Sequence, residues 1–312
     1  MRFLYIIDPP GTLKAYKDTT VAMMRAAQAR GHEVHVCEVT TLAWQGKTTA
    51  RSTRLTLTDN DEDWYRAHAA ERRPLAGFDA VLMRKDPPFD LEYVVSTWLL
   101  SDAVREGARV FNAPDAIRDH NEKLAIAEFA PFVVPTLVTR EPAAIQQFID
   151  AQRDVVVKRL DVMGGENVFR VRADDPNRNA IVEIMSQGAN RSVMAQRYIP
   201  EIVDGDKRVI VIDGDPVPYS LARIPKPGEL RGNLAAGARG VAQPLSARER
   251  EIAAAVGPKL AARGLLFVGL DVIGDWLTEV NVTSPTCFRE IQDQTGFDVS
   301  GKFMDALEAK LR

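Results

Sequence analysis

Asp271, Glu279 and Asn281 are the residues of this 312-residue chain whose types and spacing point most directly to chemistry. They lie in Leu270–Pro285, which reads as two strands joined at Gly274-Asp275, a strong short-range hairpin signal. Glu279 and Asn281 alternate with Val280 and Val282, so both project from one strand face. A three-residue loop over 274–276 with a bulge sets Asp271 opposite Glu279, whereas a two-residue loop sets them on opposite faces. Two carboxylates held side by side away from water call for a cation. Three oxygen ligands without His or Cys suit Mg²⁺, or Mn²⁺ in its place, and Mg²⁺ keeps waters and grips phosphates. The competing reading is a hairpin with one solvated polar face.

Cations and glycines fit the same chemistry. Lys123, Lys158, Arg208 and Arg223 lie within or beside element-forming sequence, the two arginines on adjacent expected strands. Any one of them alone would be expected to snorkel to solvent. Four that converge on a carboxylate pair would describe a nucleoside triphosphate site. Asp161–Asn167 follows the strand ending at Lys158, and Gly164-Gly165 would let backbone N–H groups approach phosphate oxygens, or simply make a turn. Ile224–Gln243 is rich in small residues and cations, as suits a lid over anions or a disordered insert. Met83–Asp90 lies at the carboxyl end of an expected strand, where open α/β sheets bind ligands. There Arg84 and Lys85 could hold a substrate carboxylate, or only end a solvated strand.

The elements that must position these groups alternate. Strands are expected at Arg2–Ile7, Glu33–Glu38, Phe78–Met83 and Arg109–Phe111. Helices are expected from Asp18 to about Arg30 and from Leu91 to about Glu106, with Asp18 and Asp90 as caps and Gly31 and Gly107 as stops. This is the rhythm of a small parallel sheet wrapped by helices. Residues 40–75 read as a polar, irregular surface excursion. Pro114–Phe129 reads as a helix carrying Lys123. Strands follow at Pro135–Val138, Val155–Lys158, Val168–Val171 and Ser192–Tyr198, with helices at Pro142–Gln152 and Asn179–Gln187. Then come strands Lys207–Ile212 and Val217–Ile224, a long loop Pro225–Pro244 without apolar period, a helix Ala247–Arg263, the opening hairpin and a terminal helix Lys302–Leu311. The fold class is therefore α/β (α+β).

Composition narrows the function. With 46% hydrophobic and 27% charged residues and a net charge of −3, the chain has no electrostatic push toward nucleic acid or an anionic membrane. No apolar run is long enough to span a bilayer, and the N-terminal apolar stretch turns acidic at Asp8, too soon for a signal peptide. Two cysteines, Cys37 and Cys287, stand in no metal spacing and suit a reducing cytoplasm. The four histidines form no ligand or triad pattern, and neither the Rossmann glycine fingerprint nor a P-loop is present.

Taken in order along the chain, these pieces resemble the ATP-grasp superfamily and, more closely, its prokaryotic glutathione synthetases. The likeness rests on Lys17-Asp18-Thr19-Thr20, Met83–Asp90, Arg118-Asp119 with Asn121-Glu122-Lys123, Met194-Ala195-Gln196, Asp204–Arg208, Pro218–Pro225, Arg231–Gly240, Val268–Asp271 and Leu277–Thr286. The resemblance implies an ATP-grasp fold in three parts. These are an N-terminal parallel α/β domain over 1–120, a central lid subdomain over 121–203 and a C-terminal catalytic subdomain over 204–312. It implies ligation of γ-glutamylcysteine to glycine through an acyl phosphate, with ATP going to ADP and phosphate. By the same likeness, Lys123, Lys158, Gly164, Gly165, Gln196, Tyr198, Ile199, Lys207, Arg208 and Asn281 contact ATP, with Gln196–Ile199 facing adenine. Asp271, Glu279 and Asn281 hold the metal, while Arg208 and Arg223 are catalytic. Arg84, Lys85, Arg231, Asn233, Ser284 and Thr286 face the peptide substrates. A cytoplasmic homotetramer with small-molecule substrates is implied as well. Val162 stands where the family has Gly, and Glu166 where it has a small residue. The alternatives are another ligase of the same fold, joining D-alanines or adding glutamate, and a non-catalytic ATP-binding module.

Overall fold

Strand β1 (Arg2–Ile6) buries its last four residues and pairs in parallel with β2 (Glu33–Cys37), which does the same. A strand apolar on both faces must be covered on both, as parallel strands are. The computed structural model describes residues 1–312 except Leu230, Ala235 and Ala236, three positions of the Ile224–Gln243 loop that lie outside the described residues. Helix α1 (Thr19–Ala29) makes the crossover, its first turn held by Val21 N–H donating to Asp18 Oδ1 at 2.9 Å.

The excursion expected over 40–75 is instead structured. Strands β3 (Ala43–Trp44), β4 (Thr48–Leu57) and β5 (Tyr65–Pro74) extend the sheet, β4 running antiparallel to β2 and β5. The inward positions of β4 include Thr48, Ala50 and Ser52, so the alternation is real but carries little hydrophobic signal. Strands β6 (Ala80–Met83) and β7 (Val110–Phe111) complete the parallel part, with helix α2 (Leu91–Arg105) between them, capped by Asp90.

The helix expected over Pro114–Phe129 is broken. Helix α3 (Pro114–Asp119) stops early because the Asn121 carboxamide oxygen accepts from the N–H groups of Lys123 and Leu124, an Asx turn that competes with helix. A 3₁₀ segment, Leu124–Phe132, leads into a four-stranded antiparallel sheet of β8 (Thr136–Thr139), β9 (Asp154–Arg159), β10 (Val168–Arg172) and β11 (Val193–Arg197), in the order β10-β9-β11-β8. Helices α4 (Pro142–Gln152) and α5 (Arg178–Ser186) cover it and enclose a core of their own, with Ile145, Ile149, Val155, Val157, Val182 and Val193.

A five-stranded antiparallel sheet follows, from β12 (Asp206–Ile212), β13 (Asp215–Ile224), β14 (Arg239–Pro244), β15 (Phe267–Ile273) and β16 (Trp276–Asn281), in the order β14-β13-β12-β15-β16. Strand β14 corrects the expectation of a loop through Pro244. Its ladder to β13 holds it, since Val241 is the one large apolar side chain it offers. Helix α6 (Ala247–Ala262) starts with a full Ser246/Glu249 capping box and packs Ile252, Val256 and Leu260 on the face made by Val209, Val211, Val268, Leu270 and Val272. Helix α7 (Phe288–Thr295) had no sequence signal, since it begins without a side-chain cap at Cys287 and buries only Phe288 and Ile291. Helix α8 (Val299–Leu311) starts one turn earlier than expected. It packs with α7 on the N-terminal sheet, with Phe288, Phe303 and Leu307 in one core with Phe3, Tyr5 and Met24.

Candidate active site

Backbone register assembles the site. Ile273 pairs with Trp276 across the two-residue turn Gly274-Asp275, so the three-residue loop is not what forms. Val272 then pairs with Leu277 and Asp271 with Glu279, because Thr278 is an extra residue in β16. The bulge, not the loop length, brings the two carboxylates opposite each other. Thr278 Oγ1 pins it by donating to the Asp271 carbonyl at 3.1 Å. Asp271 in turn pairs with Arg208 on β12, and Asp206 with Arg223 on β13. Asp206 and Arg208 are two residues apart and share a face. One face thus carries Glu279, Asp271 and Arg208 in a row, with Arg223 and Asn281 at its flanks.

Side-chain geometry closes the row. Arg208 donates to both Asp271 oxygens, from Nε at 2.5 Å and Nη2 at 3.0 Å. Arg223 Nη2 lies 2.9 Å from Asp271 and 2.6 Å from Asp206. Gly269 lets the Arg208 side chain lie flat, since a Cβ there would stand 2.8 Å from Arg208 Cδ. Asp271 is only 3% exposed, and burial by itself would raise its pKa. Arg208 and Arg223 outweigh burial and hold its carboxyl well below the usual carboxylate range. Asp206 goes the other way: burial pushes it up to about 6, against Arg223 and with Asp271 and Glu279.

The opposite wall comes from the central sheet and its approach. Lys158 Nζ, on β9, lies 3.4 Å from Glu279, and Lys123 Nζ lies 3.9 Å from it. Lys123 also pairs with Glu122 and donates to the Val162 carbonyl at 2.7 Å. Burial works against the Lys123 charge, but Glu279 and Glu122 raise its pKa nonetheless. Between the walls is a cavity of about 130 Å³ lined by Lys123, Lys158, Gly164, Gly165, Gln196, Tyr198, Ile199, Arg231 and Asn233. Beside it a second cavity of about 220 Å³ is lined by Arg208, Arg223, Asp271, Asn281, Ser284 and Thr286, with Glu279 and Asn233 common to both. Gly165 has φ +81° and approaches the Arg231–Asn233 segment so closely that a Cβ would lie 2.5 Å from Asn233 Oδ1.

Three expected residues are not brought there. Lys207 alternates onto the opposite face of β12, where its ammonium lies 3.5 Å from the buried Glu249 carboxylate. Arg84 is buried, donating to Thr20 Oγ1 at 3.1 Å and the Pro285 carbonyl at 2.8 Å, and it lines neither cavity. The Lys85 ammonium is spent on Asp8 at 2.9 Å and on the Asp86 carbonyl. Sequence reasoning in turn missed Asp206, Glu122 and Asp86, which line the cavities. Asp206 was recoverable from its two-residue spacing to Arg208. Cys287 lines the second cavity, and burial raises its thiol pKa, so it is no ready nucleophile.

The donor set suits a hard divalent cation. Asn281 spends its amide N–H groups on Asp271 and the Gly269 carbonyl, which leaves Oδ1 for the cavity among the described residues. With Asp271 and Glu279 this makes an all-oxygen set beside four cations suited to phosphates.

This architecture is that of the ATP-grasp enzymes. A D-cycloserine synthetase structure superposes with a TM-score of 0.70 at 17% identity, covering 99% of this chain and all of that one. A RimK-domain ATP-grasp protein from Sphaerobacter thermophilus superposes at 0.63 and 21%, so both speak for the fold alone. Within that class the sequence is specific. Residues 1–118 match the N-terminal domain of prokaryotic glutathione synthetase and residues 122–296 its ATP-grasp domain. Glutathione synthetases from Ralstonia nicotianae and Bordetella pertussis are each 58% identical, over 99% of this chain and 95% and 99% of theirs. The chain belongs to the prokaryotic glutathione synthetase family, whose members are ATP- and metal-dependent ligases.

Proposed function

We propose that the chain joins γ-glutamylcysteine to glycine, forming glutathione from ATP and releasing ADP and phosphate. The observation that carries the reading is the row Glu279, Asp271 and Arg208 facing Lys158 and Lys123, a pair of cavities with carboxylates at the centre and cations around them. It offers positioning and electrostatic stabilisation, which is what phosphoryl transfer requires. The ATP phosphates lie against Lys123, Lys158 and the backbone of Gly164-Gly165, and adenine against Gln196–Ile199. Asp271, Glu279 and Asn281 would hold Mg²⁺, which screens charge between neighbouring phosphate oxygens when bound.

The cysteinyl carboxylate attacks the γ-phosphorus as the bond to the bridging oxygen breaks. Arg208 and Arg223 face the charge that grows on the transferring group. The glycine amine then attacks the acyl carbon, forming the amide as phosphate leaves with the former carboxylate oxygen and the amine gives up a proton. Asn233 and Arg231, on the lid, shield the acyl phosphate from water. The division at 1–120, 121–203 and 204–312, cytoplasmic residence and a homotetramer belong to the same proposal. Among the described residues no helix is long and apolar enough to cross a membrane. The alternative of a D-alanine-joining or glutamate-adding enzyme has only fold-level likeness behind it. The test is phosphate release from ATP and Mg²⁺ with γ-glutamylcysteine, with and without glycine. Glycine-dependent release matched by glutathione is expected, and release indifferent to glycine would reject the reading.

A further inference from the structure

The second cavity is lined by four carboxylates among the described residues: Asp86, Glu122, Asp271 and Glu279. Three of them have ionic partners, since Glu122 pairs with Lys123, Glu279 with Lys158 and Asp271 with Arg208 and Arg223. Among the described residues, Asp86 has no cation in ion-pair contact. Its carboxylate accepts from the Ser284 hydroxyl, and its own N–H donates to Asp8 Oδ2 at 3.1 Å, so the residue is oriented without a direct ion pair. Arg84 acts on Asp86 through space but gives its N–H groups to Thr20 and Pro285, and the Lys85 ammonium lies on Asp8, so neither donates to the Asp86 carboxylate. An exposed carboxylate held by a hydroxyl at the end of a substrate cavity is set up for a cationic group of the ligand.

γ-Glutamylcysteine carries one such group, the α-ammonium of its glutamyl head. Seven covalent bonds separate that nitrogen from the carboxyl carbon that reacts, roughly 9 Å when extended at peptide bond lengths. Asp86 and Ser284, which holds it, line the same cavity as Arg208, Arg223 and Asn281. A dipeptide lying in that cavity places its head group toward Asp86 when its reacting carboxylate is at Arg208 and Arg223. The glycine amine must come within about 3.5 Å of the acyl carbon, at the other end of the cavity.

We propose that Asp86 is a specificity-determining residue that binds the α-ammonium of the γ-glutamyl head group. The inference rests on the ligase reading above and assigns one charge within it. Its test uses the intact enzyme with two peptides, γ-glutamylcysteine and glutarylcysteine, in which a hydrogen replaces that ammonium. The wild type is expected to favour the first by at least about tenfold in kcat/KM, because a group built for an N–H⁺ donor is left unpaired by the second. Asp86→Asn keeps an oxygen for Ser284 while losing the charge. It should raise the KM for γ-glutamylcysteine at least about tenfold, leave the KM for ATP unchanged and abolish the preference between the peptides. An equal loss on both peptides, or a rise confined to the KM for glycine, overturns the assignment. Should Asp86→Asn fail to fold, equal use of the two peptides by the wild type overturns it alone. Failure of the ligase reading itself looks different, since the wild type then makes no glutathione.

Discussion

Glu279 belongs to two charge systems, the carboxylate row of one sheet and the lysine pair of the opposing wall, and its side chain is far less buried than that of Asp271. Glu279→Gln removes one charge at nearly constant shape. Metal-dependent turnover should fall at least about 100-fold, as when a preorganised electrostatic contact is lost. The melting temperature should stay within a few degrees. Turnover close to the parent's would reject Glu279 as a ligand. Asp206 offers a prediction in pH. Its folded pKa of about 6 is above the ordinary carboxylate value, so the folded state favours the proton. That stabilisation is complete below the unfolded pKa, near 3.9, and is lost as pH rises through about 6. Asp206→Asn mimics the protonated form at every pH. Its melting temperature relative to wild type should therefore climb between pH 4 and pH 7 and level off above. A difference that stays flat over that range contradicts the assignment.

At the scale of elements, the hairpin was legible from its Gly274-Asp275 turn and β12 from the apolar run Val209–Ile212. The pairing of Asp271 with Glu279 was legible too, but the reason for it was not. Loop length was the visible variable, whereas the bulge at Thr278 is fixed by a contact to the Asp271 carbonyl that no local pattern encodes. Strands β4, β5 and β14 were hidden because their order comes from ladder bonds to a neighbouring strand, with little apolar alternation to show for it. The same alternation that found Arg208 should have removed Lys207 from the nucleotide side. The consequence is testable. Glu249 has no solvent exposure, caps α6 and has Lys207 as its cationic neighbour. Lys207→Met leaves that carboxylate without its cation, at a cost of about 1–3 kcal/mol in folding stability by denaturant titration. The KM for ATP should change less than about twofold, as for a residue that does not touch it. A large KM effect with unchanged stability would return Lys207 to the nucleotide.

Across the whole molecule the N-terminal and C-terminal sheets are fused while the central one stands apart. Two cores mix residues of both, such as Leu4 with Val209 and Phe3 with Phe267. Asn112, just after β7, spans the junction, its carboxamide donating to the carbonyls of Phe267 and Val282 and accepting from Phe267 N–H. The central sheet instead keeps its core largely to itself. Its other face meets the remainder through Met194, beside an apolar groove of about 530 Å³ between the Leu124–Val134 segment and β8 and β11. An unfilled groove forfeits contacts that a packed interface would have, so this junction opens more cheaply than the junction at Asn112. Lys158, Gly164 and Gly165 lie on the central-sheet side of the first cavity, and Glu279 on the side of the fused sheets. On the proposed reading, nucleotide bridges these two bodies. In native-state hydrogen exchange, amides of β8 to β11 should exchange through a subglobal opening, while those of β12 and β15 wait for global unfolding. MgADP at 100 times its Kd should slow the central-sheet amides by an amount equivalent to about 2.7 kcal/mol, since the open form cannot bind it. Equal protection of both sheets without nucleotide would show that they unfold together and would leave closure of the cavity to the loops alone.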